Sequence, residues 1–289
     1  MKRKLTSVLG NSQRLDGGSM FGNAPRAVWE RWIAPDDRHR IPLACRCLLI
    51  EEADGRRVLL ETGIGAFFAP KMRDRFGVQE DEHVLLQQLD GLGLSHSDID
   101  VVVLSHLHFD HVGGAIQWNK DHTGYEPAFK NAKFWTNENH WQWATQPNVR
   151  EKASFLKENL IPMQESGQLK FIDRAGDFSK GIIPEMEIFF ADGHTESQMI
   201  PILNYQGKRV AFMADLLPSV GHIPLPYVMG YDTRPLLTLS EKNKFLNKAA
   251  EEQIVLFLEH DFDNECCTLK KTEKGVRLNE AFSFSTLFN

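Results

Sequence analysis

Val101-Val102-Val103-Leu104 is the stretch that most restricts what this chain can become. Four consecutive apolar residues, three of them β-branched, favour a strand buried on both faces, as in a sheet covered by helices. That strand runs straight into Ser105-His106-Leu107-His108-Phe109-Asp110-His111, with Gly113-Gly114 just beyond. Three more predicted strands end the same way. Met186 to Phe190 leads to Asp192-Gly193-His194. Arg209 to Met213, the second arm of a hairpin around Asn204 to Lys208, leads to Ala214-Asp215. Ile254 to Leu258 leads to Glu259-His260. Polar residues at the ends of neighbouring strands converge in space however far apart they lie in sequence, and α/β sheets place their ligand sites there.

The rest of the chain reads as an α/β fold. Leu43 to Ile50 and Val58 to Leu60 flank the turn signal Asp54-Gly55. Asp81 to Leu89 is a predicted helix stopped by Gly91 and Gly93. Phe134-Trp135 is a short strand, and residues 137 to 165 are helical in parts, broken at Pro147 and Pro162. Leu236 to Ala250 is a helix, and Thr268 to Leu278 a final hairpin. A length of 289 residues allows two domains of ordinary size or, equally, one large α/β domain. The net charge of −6 disfavours a nucleic-acid partner. Cys45, Cys47, Cys266 and Cys267 form no C-x-x-C and read as buried thiols. Lys2-Arg3-Lys4 precedes too short an apolar stretch for a leader, and no run of 18 apolar residues occurs, so the expectation is a cytoplasmic protein without a membrane partner.

Five of the eleven histidines and two aspartates sit at those strand ends. Imidazole and carboxylate are donors that zinc and similar divalent ions accept. His106 and His108 can grip one ion from a single loop, while Asp110 and His111 reach towards a second. With His194, Asp215 and His260 the donors number seven, too many for one tetrahedral zinc, and suit two ions with one carboxylate bridging.

The H-x-H-x-D-H run at 106–111, followed by His194, Asp215 and His260, resembles the metallo-β-lactamase-fold hydrolases. The resemblance implies an αββα sandwich over residues 1–289 as a single domain, with a dinuclear site at the edge between two sheets. It implies one metal on His106, His108 and His194, a second on Asp110, His111 and His260, and Asp215 bridging. Zinc is the first expectation, with Mn, Fe or Co accepted by the same donors. Glu61, in Leu60-Glu61-Thr62-Gly63, stands where this fold often has Asp and would support the metal loop.

Two divalent ions sharing a water lower its pKa towards roughly 7, so hydroxide becomes available at neutral pH to attack a carbonyl or phosphorus centre. Asp110 beside it could pass a proton to the departing alkoxide. Gly17-Gly18-Ser19-Met20-Phe21-Gly22, Arg40 to Ile50, Ala214 to Pro218 and Pro226 to Asp232 resemble the quorum-quenching N-acyl-homoserine lactonases and related esterases, and the methyl-parathion-type phosphotriesterases are similar. Lactone ring opening is therefore the expected activity, with phosphotriester or aryl-ester hydrolysis the alternative. A flavodiiron-like redox enzyme would carry Glu at position 108, and a silent binding module would not need the full donor set. Lactonases carry Tyr three residues after the bridging Asp, but Pro218 stands there in this chain. Tyr231 is the candidate catalytic replacement, with Tyr227 and His222 of the same loop as candidate substrate contacts. Met20, Phe21, Phe67 and Phe68, read as loop residues, are candidate walls of an acyl pocket. The aromatic-rich segment 117–165, with Trp118, Trp141 and Trp143, is expected to form a lid or a homodimer contact.

Overall fold

The computed structural model describes residues 2–288, which fall into two compact units. The first comprises residues 2–13 and 44–174, the second residues 14–43 and 175–288.

The first unit is built on a six-stranded sheet. Its spatial order is Lys4–Leu9, Arg46–Glu51, Arg57–Leu60, Val101–Val103, Lys133–Thr136 and Leu169–Phe171. The Asp54-Gly55 hairpin forms as expected, with Gly55 at φ 90° and the Gly55 N–H donating to Glu52 O at 3.0 Å. Val101–Val103 is the buried inner strand, parallel to both neighbours, pairing Leu60 with Val103 on one side and Val103 with Trp135 on the other. Helices Val84–Gly91, Glu138–Thr145 and Lys157–Glu165 contribute Leu85, Leu89, Trp141, Leu160 and Met163 to the core around Val102 and Phe134. Pro162 does not break the last of these, contrary to expectation. Its ring forgoes one backbone hydrogen bond, and the buried Leu160 and Met163 on either side hold the turn against the core.

The second unit is built on a seven-stranded sheet: Phe178–Lys180, Met186–Ala191, Gln198–Tyr205, Lys208–Phe212, Val255–Phe257, Cys266–Thr272 and Gly275–Phe282, in that order. The hairpin near Asn204 turns on Gln206 and Gly207, at φ 47° and 77°, the positive pair that suits the strand twist. Lys208–Phe212 and Val255–Phe257 run parallel, and helix Pro235–Glu252 lies in the connection between them. Met20 and Phe21 were expected in a loop. They lie instead on a short helix, Gly17–Phe21, where the Asp16 side chain caps the Ser19 N–H at 2.7 Å. Gly17 makes the helix possible there, since a Cβ would fall 2.6 Å from Trp29. All four cysteines are buried. No helix among the described residues is long and apolar enough to cross a membrane.

Candidate metal centre

In the first unit the donors occupy the turn after Val101–Val103 and the short helix Phe109–Val112. His106, His108, Asp110 and His111 are all buried. His106 Nε2 and His108 Nδ1 lie 3.0 Å apart, and His106 Nδ1 meets Ser105 Oγ at 3.0 Å. His111 Nε2 lies 3.8 Å from Asp110 Oδ1. The loop therefore brings His106 beside His108 and His111 beside Asp110.

Backbone geometry fixes the loop. Glu61 sits at φ 65°, a strained position for a residue with a side chain, and its N–H donates to Val103 O at 2.9 Å. Its carboxylate accepts the Ser105 N–H at 2.5 Å and lies 4.0 Å from His111 Nδ1. Thr62 donates to the His111 carbonyl from its N–H at 3.1 Å and its hydroxyl at 2.9 Å. Gly113 and Gly114 let the chain press on this strand end, for a Cβ on either would fall 2.1 Å from a backbone oxygen, that of Ile64 or of Thr62.

In the second unit His194 follows Met186–Ala191, Asp215 follows Lys208–Phe212 and His260 follows Val255–Phe257. The Asp215 carboxylate faces two imidazoles, with Oδ2 3.0 Å from His194 Nε2 and Oδ1 3.1 Å from His260 Nε2. One oxygen for each ring is the disposition of a carboxylate shared by two ions. Ala214, just before Asp215, has φ 42°, a strained position for a residue with a side chain. Asp232 holds the far side of His194, its Oδ1 2.9 Å from Nδ1. Glu241, on helix Pro235–Glu252, accepts the Asp192 and Gly193 N–H groups at 2.7 and 2.9 Å and so pins the His194 turn.

These donors fit divalent ions. They are imidazole nitrogens and carboxylate oxygens, without thiolate. Burial of His194 opposes its protonation, yet the Asp215 and Asp232 carboxylates outweigh burial and raise its pKa to about 10. The pocket thus favours positive charge strongly enough to hold a proton there, and a divalent ion would satisfy the same field.

The other candidates are placed as follows. His222 is buried, stacked on Phe21 at 4.4 Å, with Nε2 2.8 Å from Met20 O and Nδ1 2.8 Å from Ser219 Oγ. Burial lowers its pKa to about 4, so it is neutral and fastens the Gly17–Phe21 helix to its own loop. Met20 and Phe21 are buried, and together with Pro218, His222, His260 and Phe262 they line an apolar recess. Tyr227 packs on the Met20–Phe21 cluster, while Tyr231 is exposed. Phe67 meets His83 and Tyr125, and Phe68 packs with Phe76. Trp118 stacks on Tyr125, Trp141 is buried in the core, and Trp143 donates its indole N–H to Glu151.

Several positioning groups escaped the sequence reading. Gln13 donates to Asp110 Oδ2 at 2.6 Å, and His140 Nε2 accepts the Leu107 N–H at 2.8 Å. Lys242, itself buried, donates to the carbonyls of His222, Pro224 and Tyr227. Asp232, behind His194, belongs with them.

A model of the metallo-beta-lactamase superfamily matches residues 40–260, well over half of the chain. The chain belongs to the metallo-beta-lactamase superfamily. Among curated superfamily relatives, an N-acyl homoserine lactonase of Bacillus thuringiensis is 23% identical over 234 residues, covering 76% of this chain and 82% of that one. A probable metallo-hydrolase of Mycobacterium tuberculosis is 34% identical over 137 residues, covering 40% of this chain and 43% of its own length. Among solved structures, a probable metal-dependent hydrolase from Staphylococcus aureus superposes with a TM-score of 0.86 at 24% identity, over 97% of this chain and 96% of that one. AidC, a dizinc quorum-quenching lactonase solved in complex with a product, gives a TM-score of 0.78 at 20% identity, over 97% and 95%. The likeness establishes the metallo-beta-lactamase fold expected from the 106–111 run. This superfamily member is a metallo-hydrolase whose His and Asp groups suit a dinuclear metal site.

Proposed function

We propose that this metallo-hydrolase opens the lactone ring of N-acyl homoserine lactones, with two divalent ions, zinc first, at its centre. His106, His108 and His194 would hold one ion, Asp110, His111 and His260 the other, and Asp215 would serve both. The observation that carries the reading is the Asp215 carboxylate, which offers one oxygen towards His194 and the other towards His260. Bound there, the ions would supply Lewis-acid activation of a water and of the ester carbonyl.

The chain's own residues do the rest. Asp110, steadied by the Gln13 amide, carries a proton to the alkoxide that leaves as the ring opens. The apolar recess that includes Met20, Phe21 and His260 receives the acyl chain. The N-acyl homoserine lactonases among its relatives support this substrate class.

A second reading is phosphotriester or aryl-ester hydrolysis at the same centre. Pro218 favours it, since this residue on the recess wall cannot donate the hydrogen bond that a Tyr gives to a lactone carbonyl. Rates on a panel of homoserine lactones, simple lactones, aryl esters and phosphotriesters, using protein loaded with zinc, separate the two. The lactone reading expects ring opening that rises with acyl length, and faster turnover of a phosphotriester would refute it. Asp110→Asn with full metal content and full turnover would contradict the proton-carrying role.

A further inference from the structure

Glu151 is 3% exposed and lies between helices Glu138–Thr145 and Lys157–Glu165. Its Oε2 accepts the Trp143 indole N–H at 2.6 Å and the Asn148 side-chain amide at 2.6 Å, while its backbone N–H donates to Asn148 Oδ1 at 3.2 Å. Held in this way, its Oε1 lies 3.5 Å from His108 Nε2. The opposite nitrogen of that ring, Nδ1, is the one 3.0 Å from His106 Nε2, so the two edges of His108 have different tasks. The surrounding segment braces the same loop. The Phe155 ring is 4.7 Å from His108, the Ser154 carbonyl accepts the Phe109 N–H at 2.9 Å, and His140 takes the Leu107 N–H.

We propose that Glu151 is a positioning residue for His108, its negative charge 3.5 Å from Nε2 keeping the ring proton on that nitrogen so that Nδ1 is left with its lone pair for a metal ion. The inference rests on the reading of His108 as a metal ligand. A neutral imidazole binds an ion through one nitrogen only when its proton is on the other, and a carboxylate at that proton fixes the tautomer, orients the ring and strengthens it as a donor. Trp143 and Asn148 act one step further out, by aiming Glu151. The aromatic segment singled out in the sequence then serves the metal loop from behind.

The test is the zinc affinity of the full-length protein, titrated against a competing chelator, with thermal unfolding of the zinc-free protein and nitrogen NMR of the imidazoles. Glu151→Gln keeps the size and an oxygen for Trp143 and Asn148 but loses the charge. It should weaken one of two bound zinc ions by about 10–100-fold, as loss of such outer partners does elsewhere. Glu151→Asp should recover part of that loss, and in Glu151→Gln the His108 nitrogen shifts should move towards a mixture of the two tautomers. Two zinc ions bound by Glu151→Gln with unaltered affinity would overturn the inference and leave the metal centre standing. Wild-type protein that binds no zinc would overturn both. If Glu151→Gln fails to fold, Trp143→Phe removes one aiming bond and should weaken the same ion several-fold, and unchanged affinity there overturns the inference equally.

Discussion

Replacing Gly114 by alanine adds one methyl group at the tightest backbone approach beside the metal loop. The new Cβ would fall 2.1 Å from the Thr62 carbonyl oxygen and 3.3 Å from His83 Cε1. Backbone atoms cannot swing aside, so the Thr62 and Gly114 chains must part by roughly 1 Å before the contact becomes tolerable. Three hydrogen bonds span that seam: Gly114 N–H to Gly63 O at 2.9 Å, and the Thr62 N–H and hydroxyl to His111 O at 3.1 and 2.9 Å. Opening by that amount takes them past useful length, at about 1 kcal/mol each. Overpacking adds about 1–3 kcal/mol. The stiffer unfolded chain returns about 0.4–1 kcal/mol. The net loss is therefore about 3–6 kcal/mol, or about 10 °C in melting temperature for a chain of this size. Because the strained seam carries the His111 carbonyl, metal content should fall as well. Gly91→Ala is the control, since a Cβ there meets nothing within 4 Å. Scanning calorimetry with metal analysis checks both variants. Gly114→Ala melting within about 2 °C of wild type with full metal would refute the reasoning.

Acid should destabilise the protein partly through His83, whose burial lowers its pKa to about 4 despite the bond between Nε2 and Gly114 O. The folded state then binds fewer protons than the unfolded state between about pH 6.5 and 4. This contribution is present above that window and lost as pH falls through it, to a limit on the order of 3 kcal/mol. His83→Gln should flatten the fall in denaturant midpoint over that range, and an unchanged slope would count against it. Asp215→Ala removes the shared carboxylate and should leave fewer than two metal ions per chain by elemental analysis, whereas a full complement would show that Asp215 does not bridge. Lys242→Met leaves three carbonyls without their ammonium donor, so stability should drop on the order of 3 kcal/mol. Hydrogen exchange should quicken between residues 220 and 231, and unchanged protection there would mean that the loop is held by other contacts.

The inner strands, the hairpins and the donor turns were legible in the residues because each depends on near neighbours, whereas the edge strands Lys4–Leu9, Leu169–Phe171 and Phe178–Lys180 were not. A run such as Val101–Leu104 announces burial, alternation and turn residues mark Asp54-Gly55, and a polar residue directly after such a run must lie at a strand end. The helix at Gly17–Phe21 was not legible, since its glycines speak against helix until Trp29 is seen to fill the space beside Gly17. Pro162 misled for the opposite reason, as core packing of its neighbours overrides a local breaker. Gln13 beside Asp110, Glu151 behind His108, Asp232 behind His194 and Lys242 under its loop all lay beyond reach. Before the chain is folded, a buried glutamine or glutamate looks like any other, and nothing local says which of many polar residues will meet a given imidazole. The sequence by itself determined the donor types, their order and the strand ends that carry them. Tertiary structure alone decided their outer partners, because a hydrogen bond of 2.6 Å between residues 97 positions apart exists only once both backbones are packed in place.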